Sequence, residues 1–202
     1  MTHGRVMDGD QTFTAFLGPR RLAAGDLRTV ALAAADVGQQ GALLIFDDMT
    51  GRLIELDVRG GVDHAVAEYL AREDRLDDSA PPRRPGRGRP RLGVVAREVT
   101  LLPRHWEWLG RQPGGASAAL RRLVEDARRS GAATDRARET QEALYRVMST
   151  LAGNATGFEE ASRALFARED ARFDAIVETW PADVAAYVGC LARAAREARP
   201  AT

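Results

Sequence analysis

A stretch rich in proline, glycine and arginine interrupts the chain between residues 74 and 93. Four prolines and two glycines fall within ten residues of it: Pro81, Pro82, Pro85, Gly86, Gly88 and Pro90. Proline has no amide donor and glycine has no side chain to pack, so neither a regular helix nor a central strand is favoured here. We therefore predict that residues 74–93 form an extended linker, which divides the chain into separately folded parts.

The part before the linker, residues 1–73, mixes the patterns of strands and helices. Alternating or short buried apolar runs, some of them flanked by turn residues, predict strands at residues 11–17, 20–23, 42–46 and 53–58. Aspartates that can cap a helix, Asp26 and Asp63, stand at the start of two segments with helical apolar spacing. These segments predict helices at residues 27–37 and 63–73. Together the elements predict a small N-terminal α/β domain.

The part after the linker is mainly helical. Apolar residues at three- and four-residue spacing predict helices at residues 103–111, 118–129, 135–151, 158–167, 170–179 and 181–198. Gly131 separates two of these helices, and we expect it to end the first one. The fold class is therefore α+β, with a small N-terminal α/β domain, a central segment at residues 94–131 and a C-terminal helical bundle at residues 132–202.

Charge is distributed unevenly, although the net charge is zero and every one of the 29 basic residues is arginine. Residues 79–131 carry 12 arginines and 4 acidic residues, whereas residues 1–78 carry 8 and 14 and residues 132–202 carry 9 and 11. A basic block between two acidic parts indicates a polyanionic partner. The alternative is that the block neutralises the acidic parts of its own chain.

The linker contains a four-residue motif, Arg87-Gly88-Arg89-Pro90, with Arg91 directly after it. It resembles the core of an AT-hook. Glycine lets the backbone approach the floor of a narrow minor groove, proline holds it extended, and the guanidinium groups enter the negative potential of A·T-rich DNA. The resemblance implies DNA contacts from these five residues. The alternative is an ordinary linker whose composition produces the motif by chance.

Residues 97–129 read as strand, helix, turn and helix, an arrangement that resembles a ribbon-helix-helix module. The strand would be residues 97–102, Pro103 would begin the first helix, and Ser117 would cap the second. The resemblance implies that two chains pair through this strand and insert the two-stranded ribbon into the major groove. Val99 and Leu101 lie one position out of the family's usual frame, and a slip of one residue exchanges the faces of a strand. The alternative is a plain helical hairpin with a short strand.

The same resemblance assigns individual roles. Arg97, Thr100 and Arg104 would face the major groove. Ser117, together with the amides of Ala118 and Ala119, would hold a phosphate at the start of the second helix. The indoles of Trp106 and Trp108 diverge at i,i+2 spacing, so we expect one of them at an interface or exposed.

No catalytic or cofactor-binding pattern is found in the sequence. The three histidines stand at unrelated spacings, no serine lies in a nucleophile elbow, and the lone Cys190 lies on a mostly apolar helix. Asp47 and Asp48 lie in a turn. We interpret them as solvated carboxylates, and a divalent-cation site is the less favoured alternative. We expect no enzyme activity, no metal and no cofactor. With no membrane span, no signal-peptide core and one cysteine, we also expect a cytoplasmic protein.

Over nearly its full length the chain resembles a family of conserved, uncharacterised bacterial proteins. The stretches that carry the resemblance are residues 46–52, 88–106, 112–117, 157–165 and 180–184. This resemblance implies membership of the family but no activity, substrate or cofactor.

From these features we expect a DNA-binding regulatory or DNA-associated protein that forms a homodimer, and the AT-hook resemblance implies a preference for A·T-rich DNA. The alternative is a protein-interaction adaptor in which the basic middle only joins two working surfaces. That alternative expects residues 97–102 to pair with the N-terminal sheet of their own chain.

Overall fold

The computed structural model describes residues 11–37, 42–77 and 97–200, and its fold is α+β as predicted. The strands are β1 (Phe13–Leu17), β2 (Arg20–Gly25), β3 (Leu43–Asp47) and β4 (Leu53–Ile54). The helices are α1 (Leu27–Val37), α2 (Val62–Asp77), α3 (Pro103–Gly110), α4 (Gly115–Ala152), α5 (Phe158–Ala167), α6 (Asp170–Val177) and α7 (Ala182–Glu197), with a short 3-10 helix at Val58–Gly60. None of the helices in these ranges has both the length and the apolar character needed to cross a membrane.

The four strands form one antiparallel sheet in the order β2-β1-β3-β4. Gly18, with a φ of 56°, makes the tight turn between β1 and β2. The Asp26 carboxylate accepts a 2.8 Å hydrogen bond from the amide of Thr29, which confirms the predicted cap of α1. Local signals therefore determine this part of the fold.

Both faces of the sheet are buried, each in a different hydrophobic core. Phe13, Ala15 and Ile45 point to one face, where they pack with α1 and with Tyr69 of α2. Phe16 and Phe46 point to the opposite face, where they pack with α4, α5, α6 and α7. Successive side chains of a strand alternate between faces, so one short strand contributes to both cores.

The second core contains residues from both the N-terminal sheet and the C-terminal helices. One compact unit comprises the described residues up to Ala71 together with those from Ala133 onward, and the other comprises the described residues between Arg72 and Ala132. The predicted boundary at residues 93/94 lies outside the described residues, and the domain division predicted from the sequence stays a prediction. The C-terminal helices cover a sheet face that residues 1–73 cannot bury alone.

In the central part the structure corrects one predicted helix boundary, whereas the predicted strand pairing between two chains stays a prediction. Residues 97–102 form no strand in the described chain, although the backbone at Leu102 is extended. The helix predicted to end near Gly131 continues through it, so α4 is a single helix of 38 residues. An internal glycine costs a helix only about 1 kcal/mol relative to alanine, and the alanines and arginines around Gly131 are strong helix formers.

Candidate nucleic-acid interface

The central helical hairpin, defined here as residues 97–132, holds the described part of the basic block. Pro103 occupies the first position of α3, and the Leu102 carbonyl accepts hydrogen bonds from the amides of His105 and Trp106. After α3 the chain reverses at two consecutive left-handed glycines, Gly114 and Gly115. The hairpin is therefore specified by proline at its entry and by glycine at its turn.

Little of the central helical hairpin is buried. Within residues 97–132 the fully buried apolar side chains are Leu109 and Ala119. Six large apolar residues are roughly half exposed: Val99, Leu102, Trp106, Trp108, Leu123 and Val124. Two buried side chains make a very small core, and modules below about 40 residues usually need a partner for stability. The exposed apolar residues are therefore candidates for an intermolecular contact.

The arginines of the central helical hairpin keep an accessible positive surface. Arg128 pairs with Glu125 and Arg129 with Asp126, each within one turn of α4. Among the described residues, Arg104, Arg111 and Arg121 are exposed and make no ion pair or side-chain hydrogen bond. Surface pairs such as the two in α4 contribute little and exchange readily. The unpaired guanidinium groups are the ones available to a polyanion.

The turn before α4 brings a guanidinium close to the start of that helix. Arg122 donates a 3.1 Å hydrogen bond to the carbonyl of Pro113. Ser117 is exposed but lies inside the first turn, since α4 begins at Gly115; the predicted cap at Ser117 is therefore wrong. In a helix that begins at Gly115, Ala116 and Ser117 belong to the first turn, whose amides have no partner within the helix.

The predicted DNA-binding residues are distributed over three places. Arg97 and Thr100 are exposed in the irregular chain before α3, and Arg104 follows in its first turn. Ser117 lies at the start of α4, on the other side of the turn. The remaining predicted residues, Arg87, Gly88, Arg89, Pro90 and Arg91, lie outside the described residues. The hairpin thus holds the four described residues within one short segment of chain.

The acidic turn that sequence reasoning interpreted as solvated is instead structural. Asp47 is buried and accepts hydrogen bonds from the amides of Met49 and Thr50 and from the Gln11 amide side chain. Asp48 accepts a 2.6 Å hydrogen bond from the Tyr187 hydroxyl. Both carboxylates are used to hold the turn in place. Over the described part of the chain, no cluster of His, Cys, Asp or Glu side chains has an arrangement that could hold a metal ion.

An open cavity of about 420 Å³ lies along the loop from Gly153 to the first turn of α5. Residues 153–160 of this one loop line it, and its only charged groups are Glu159 and Glu160. Carboxylates at a helix N-terminus satisfy the helix dipole and repel an anion. The cavity therefore offers neither a catalytic pair nor an anion site, and the central helical hairpin remains the stronger candidate.

Comparison with known proteins identifies a family. Neither the curated proteins nor the solved structures include a match to this chain. A family model described as "Uncharacterized protein conserved in bacteria (DUF2239)" matches residues 12–192, which includes the sheet, the central helical hairpin, α5, α6 and most of α7. The chain therefore belongs to the DUF2239 family of uncharacterised proteins conserved in bacteria.

Proposed function

We propose that this protein binds DNA through its basic middle and acts as a regulatory or DNA-associated protein. The observation that carries the proposal is that Arg104, Arg111 and Arg121 of the central helical hairpin are exposed and make no ion pair within the described part of the chain. An arginine that neutralises a phosphate releases a condensed counterion, which gives sequence-independent affinity. The excess of arginine over acidic residues across residues 79–131 supports the same assignment.

In this proposal two copies pair through residues 97–102 and present an antiparallel ribbon to the major groove. The segment lies outside the four-stranded sheet and leaves Val99 and Leu102 exposed, so it is available for pairing. Pairing would add the apolar contacts that a hairpin with two buried side chains lacks. Arg97, Thr100 and Arg104 would then contact bases or phosphates from the ribbon and the helix after it.

Two further contacts complete the proposed interface. Ser117 and the first-turn amides of α4 would hold a phosphate, with Arg122 fixed beside them by its bond to Pro113. The motif Arg87-Gly88-Arg89-Pro90-Arg91 would add minor-groove contacts in A·T-rich DNA. Phosphate contacts supply affinity and orientation, whereas the ribbon and the motif would supply sequence preference.

The experiment is a fluorescence-anisotropy titration of the full chain against A·T-rich and G·C-rich duplexes at two salt concentrations. We expect Arg104→Ala with Arg121→Ala to weaken binding to both duplexes and to reduce the salt slope by about one per lost phosphate contact. Arg52→Ala with Arg193→Ala is the matched control, since it removes the same charge from exposed positions outside the hairpin. Arg87→Ala with Arg89→Ala should weaken mainly the A·T-rich complex.

Absence of binding at low salt would refute the proposal. Equal losses in the Arg104/Arg121 and Arg52/Arg193 variants would also refute it, because the effect would then be one of net charge alone. A loss confined to the hairpin variant supports it.

One observation favours the adaptor as the second candidate. The rings of Tyr145 and Phe166 lie 5.4 Å apart and both are exposed, which suits contact with another protein. The feature that the adaptor was expected to show, residues 97–102 paired with the N-terminal sheet, does not occur in the described chain. A Tyr145→Ser, Phe166→Ser variant that binds DNA normally but loses a cellular phenotype would favour the adaptor.

A further inference from the structure

The two tryptophans of α3 lie on opposite faces of the helix and have different surroundings. With about 3.6 residues per turn, positions 104, 108 and 111 share one face, and positions 102, 106 and 109 share the other. Trp106 thus belongs with Leu102 and the buried Leu109, on the apolar face. Trp108 belongs with Arg104 and Arg111, which we call the Arg–Trp face.

The Arg–Trp face is accessible and chemically unusual. Trp108 is 47% exposed, and its indole takes part in no hydrogen bond or ring contact with any residue that the structure describes. Arg104 and Arg111 are exposed and unpaired among the described residues. Arg111 keeps right-handed helical backbone angles at the end of α3, so the periodicity extends to it. An aromatic plane is therefore flanked along the helix by two free positive charges.

The backbone around Trp108 is fixed at the helix end. The Trp108 carbonyl accepts hydrogen bonds from the Arg111 amide and, at 3.4 Å, from the Gln112 side chain. Leu109, the next residue, is one of the two buried side chains of the hairpin. The indole is thus carried on an anchored turn, which lowers the entropy lost when a ligand stacks on it.

We propose that the Arg–Trp face binds an unpaired nucleobase, so that this protein engages DNA with a single-stranded region. Trp108 would stack on the base, and Arg104 and Arg111 would contact phosphates on either side of it. Aromatic stacking combined with positive charge is the way that single strands are held, because every base presents a π face. In an intact duplex the base faces are covered by their neighbours, so duplex DNA offers only its phosphates to this surface.

This inference rests on the proposed DNA binding, and it extends that function to the form of DNA that is bound. Two arginines on one face favour a polyanion over a neutral or basic protein surface. The apolar face with Trp106 remains available for the dimer. The tryptophans therefore have separate roles, and substitutions at the two positions should differ in effect.

The test measures the affinity of the full-length protein for an oligothymidine, an intact duplex and a duplex with a single-stranded gap. We expect Trp108→Ala to weaken binding to the oligothymidine and to the gapped duplex roughly tenfold and to leave intact-duplex binding within about twofold. Trp108→Phe should retain most of the affinity, because it keeps an aromatic plane. Phe166→Ala is the matched control, since it removes an exposed aromatic ring outside the hairpin, and it should leave all three affinities unchanged.

Fluorescence gives an independent readout. In a Trp106→Phe, Trp180→Phe variant, with folding checked by circular dichroism, Trp108 is the sole emitter, and oligothymidine should quench it whereas intact duplex should not. Normal single-strand affinity in Trp108→Ala, or no quenching by bound oligothymidine, would overturn the inference. If intact duplex still binds in that case, the proposed function stands without it. If no DNA of any form binds, both fail.

Discussion

The hydroxyl of Tyr187 in α7 donates a 2.6 Å hydrogen bond to Asp48, in the turn that follows β3. The Tyr187 ring also packs against Phe16 and Phe46, with centroids 5.4 and 6.1 Å away. This pair joins the last helix of the chain to its N-terminal sheet. The acidic turn is thereby tied to α7, and the sheet face that carries Phe16 and Phe46 is buried under the C-terminal helices.

The Tyr187–Asp48 bond leads to a prediction at alkaline pH. Burial, and next the negative charge of Asp48, raise the pKa of Tyr187 well above its ordinary value of about 10. A group whose pKa is higher in the folded chain than in the unfolded chain stabilises the fold, and its full contribution is present below the pKa that it has in the unfolded chain. That stability is lost as pH rises above about 10, because the unfolded chain ionises first.

We therefore expect the free energy of unfolding to fall above pH 10 and to fall less steeply in Tyr187→Phe. At pH 7 the free energy of unfolding of the variant should be about 1–2 kcal/mol lower than that of the wild type, because the Asp48 carboxylate is left without this donor. Urea unfolding at pH 7, 9 and 10.5 measures both effects. Tyr145→Phe, at an exposed tyrosine, is the control. Parallel pH profiles for the wild type and Tyr187→Phe would contradict the assignment.

A close backbone approach at Gly51 leads to a second prediction. Gly51 has a φ of 64°, and a Cβ built on it would collide with the carbonyl oxygen of Ala143 in α4. Gly18 has a similar φ of 56° but open space around it. Gly18→Ala should cost about 1–2 kcal/mol from the left-handed backbone alone.

Gly51→Ala should lower the free energy of unfolding by several kcal/mol more than Gly18→Ala does, because α4 must also move away from the turn. Thermal unfolding of both variants gives the difference directly. Equal melting temperatures for the two would show that the approach of α4 to this turn is not tight.

Much of the fold follows from signals within a few residues. Asp26 caps α1, Pro103 begins α3, and helix α5 at Phe158–Ala167 coincides with its predicted range. These features depend on local interactions: a residue such as Asp or Pro favours the start of a helix through its own backbone angles and nearby hydrogen bonds. Gly131 is the counterexample, because its neighbours outweigh a single unfavourable residue.

The rest depends on contacts between distant parts of the chain. The sequence of residues 13–16 does not indicate that Phe16 packs against Tyr187. The proline-rich stretch that separates Phe16 from Tyr187 in the sequence instead favours two domains. The same limit explains Asp48: a carboxylate in a turn is usually solvated, and its partner lies 139 residues away. The candidate interface was more predictable, because an excess of arginine is visible in the composition itself.

An ion-pair cluster between α6 and the end of α7 leads to a third prediction, at acid pH. Asp170 is bound by Arg199 at 2.8 and 2.9 Å and pairs with Arg196, which also binds Asp174. The hydrogen bonds from Arg199, followed by the charge of Arg196, lower the pKa of Asp170. A lowered pKa gives stability that is present above the ordinary value of about 3.9 and is lost as pH falls below it.

Asp170→Asn should therefore destabilise the protein at pH 7 but much less at pH 3. The Asp170 side chain is 39% exposed, so solvent screening limits the expected loss to roughly 1 kcal/mol. Urea unfolding at the two pH values measures it. Asp36→Asn, at an exposed carboxylate outside the cluster, should be neutral at both. A loss of equal size at pH 7 and pH 3 would assign the effect to packing.

The exposed apolar residues of the central helical hairpin lead to the last prediction, which concerns assembly. Val99 and Leu102 are 52% and 48% exposed in an irregular segment that no described strand pairs with. If two copies pair through this segment, a carboxylate there would be buried in the contact without a partner, which costs several kcal/mol. Leu102→Asp should therefore convert a dimer to a monomer. Leu32→Asp is the matched control, since Leu32 is equally exposed on α1. Light scattering after gel filtration gives both masses, and a monomeric wild type, or a dimer that survives Leu102→Asp, would rule out pairing through residues 97–102.

Because a dimer doubles the number of phosphates that one particle contacts, a monomeric Leu102→Asp variant should also show a salt slope about half that of the wild type.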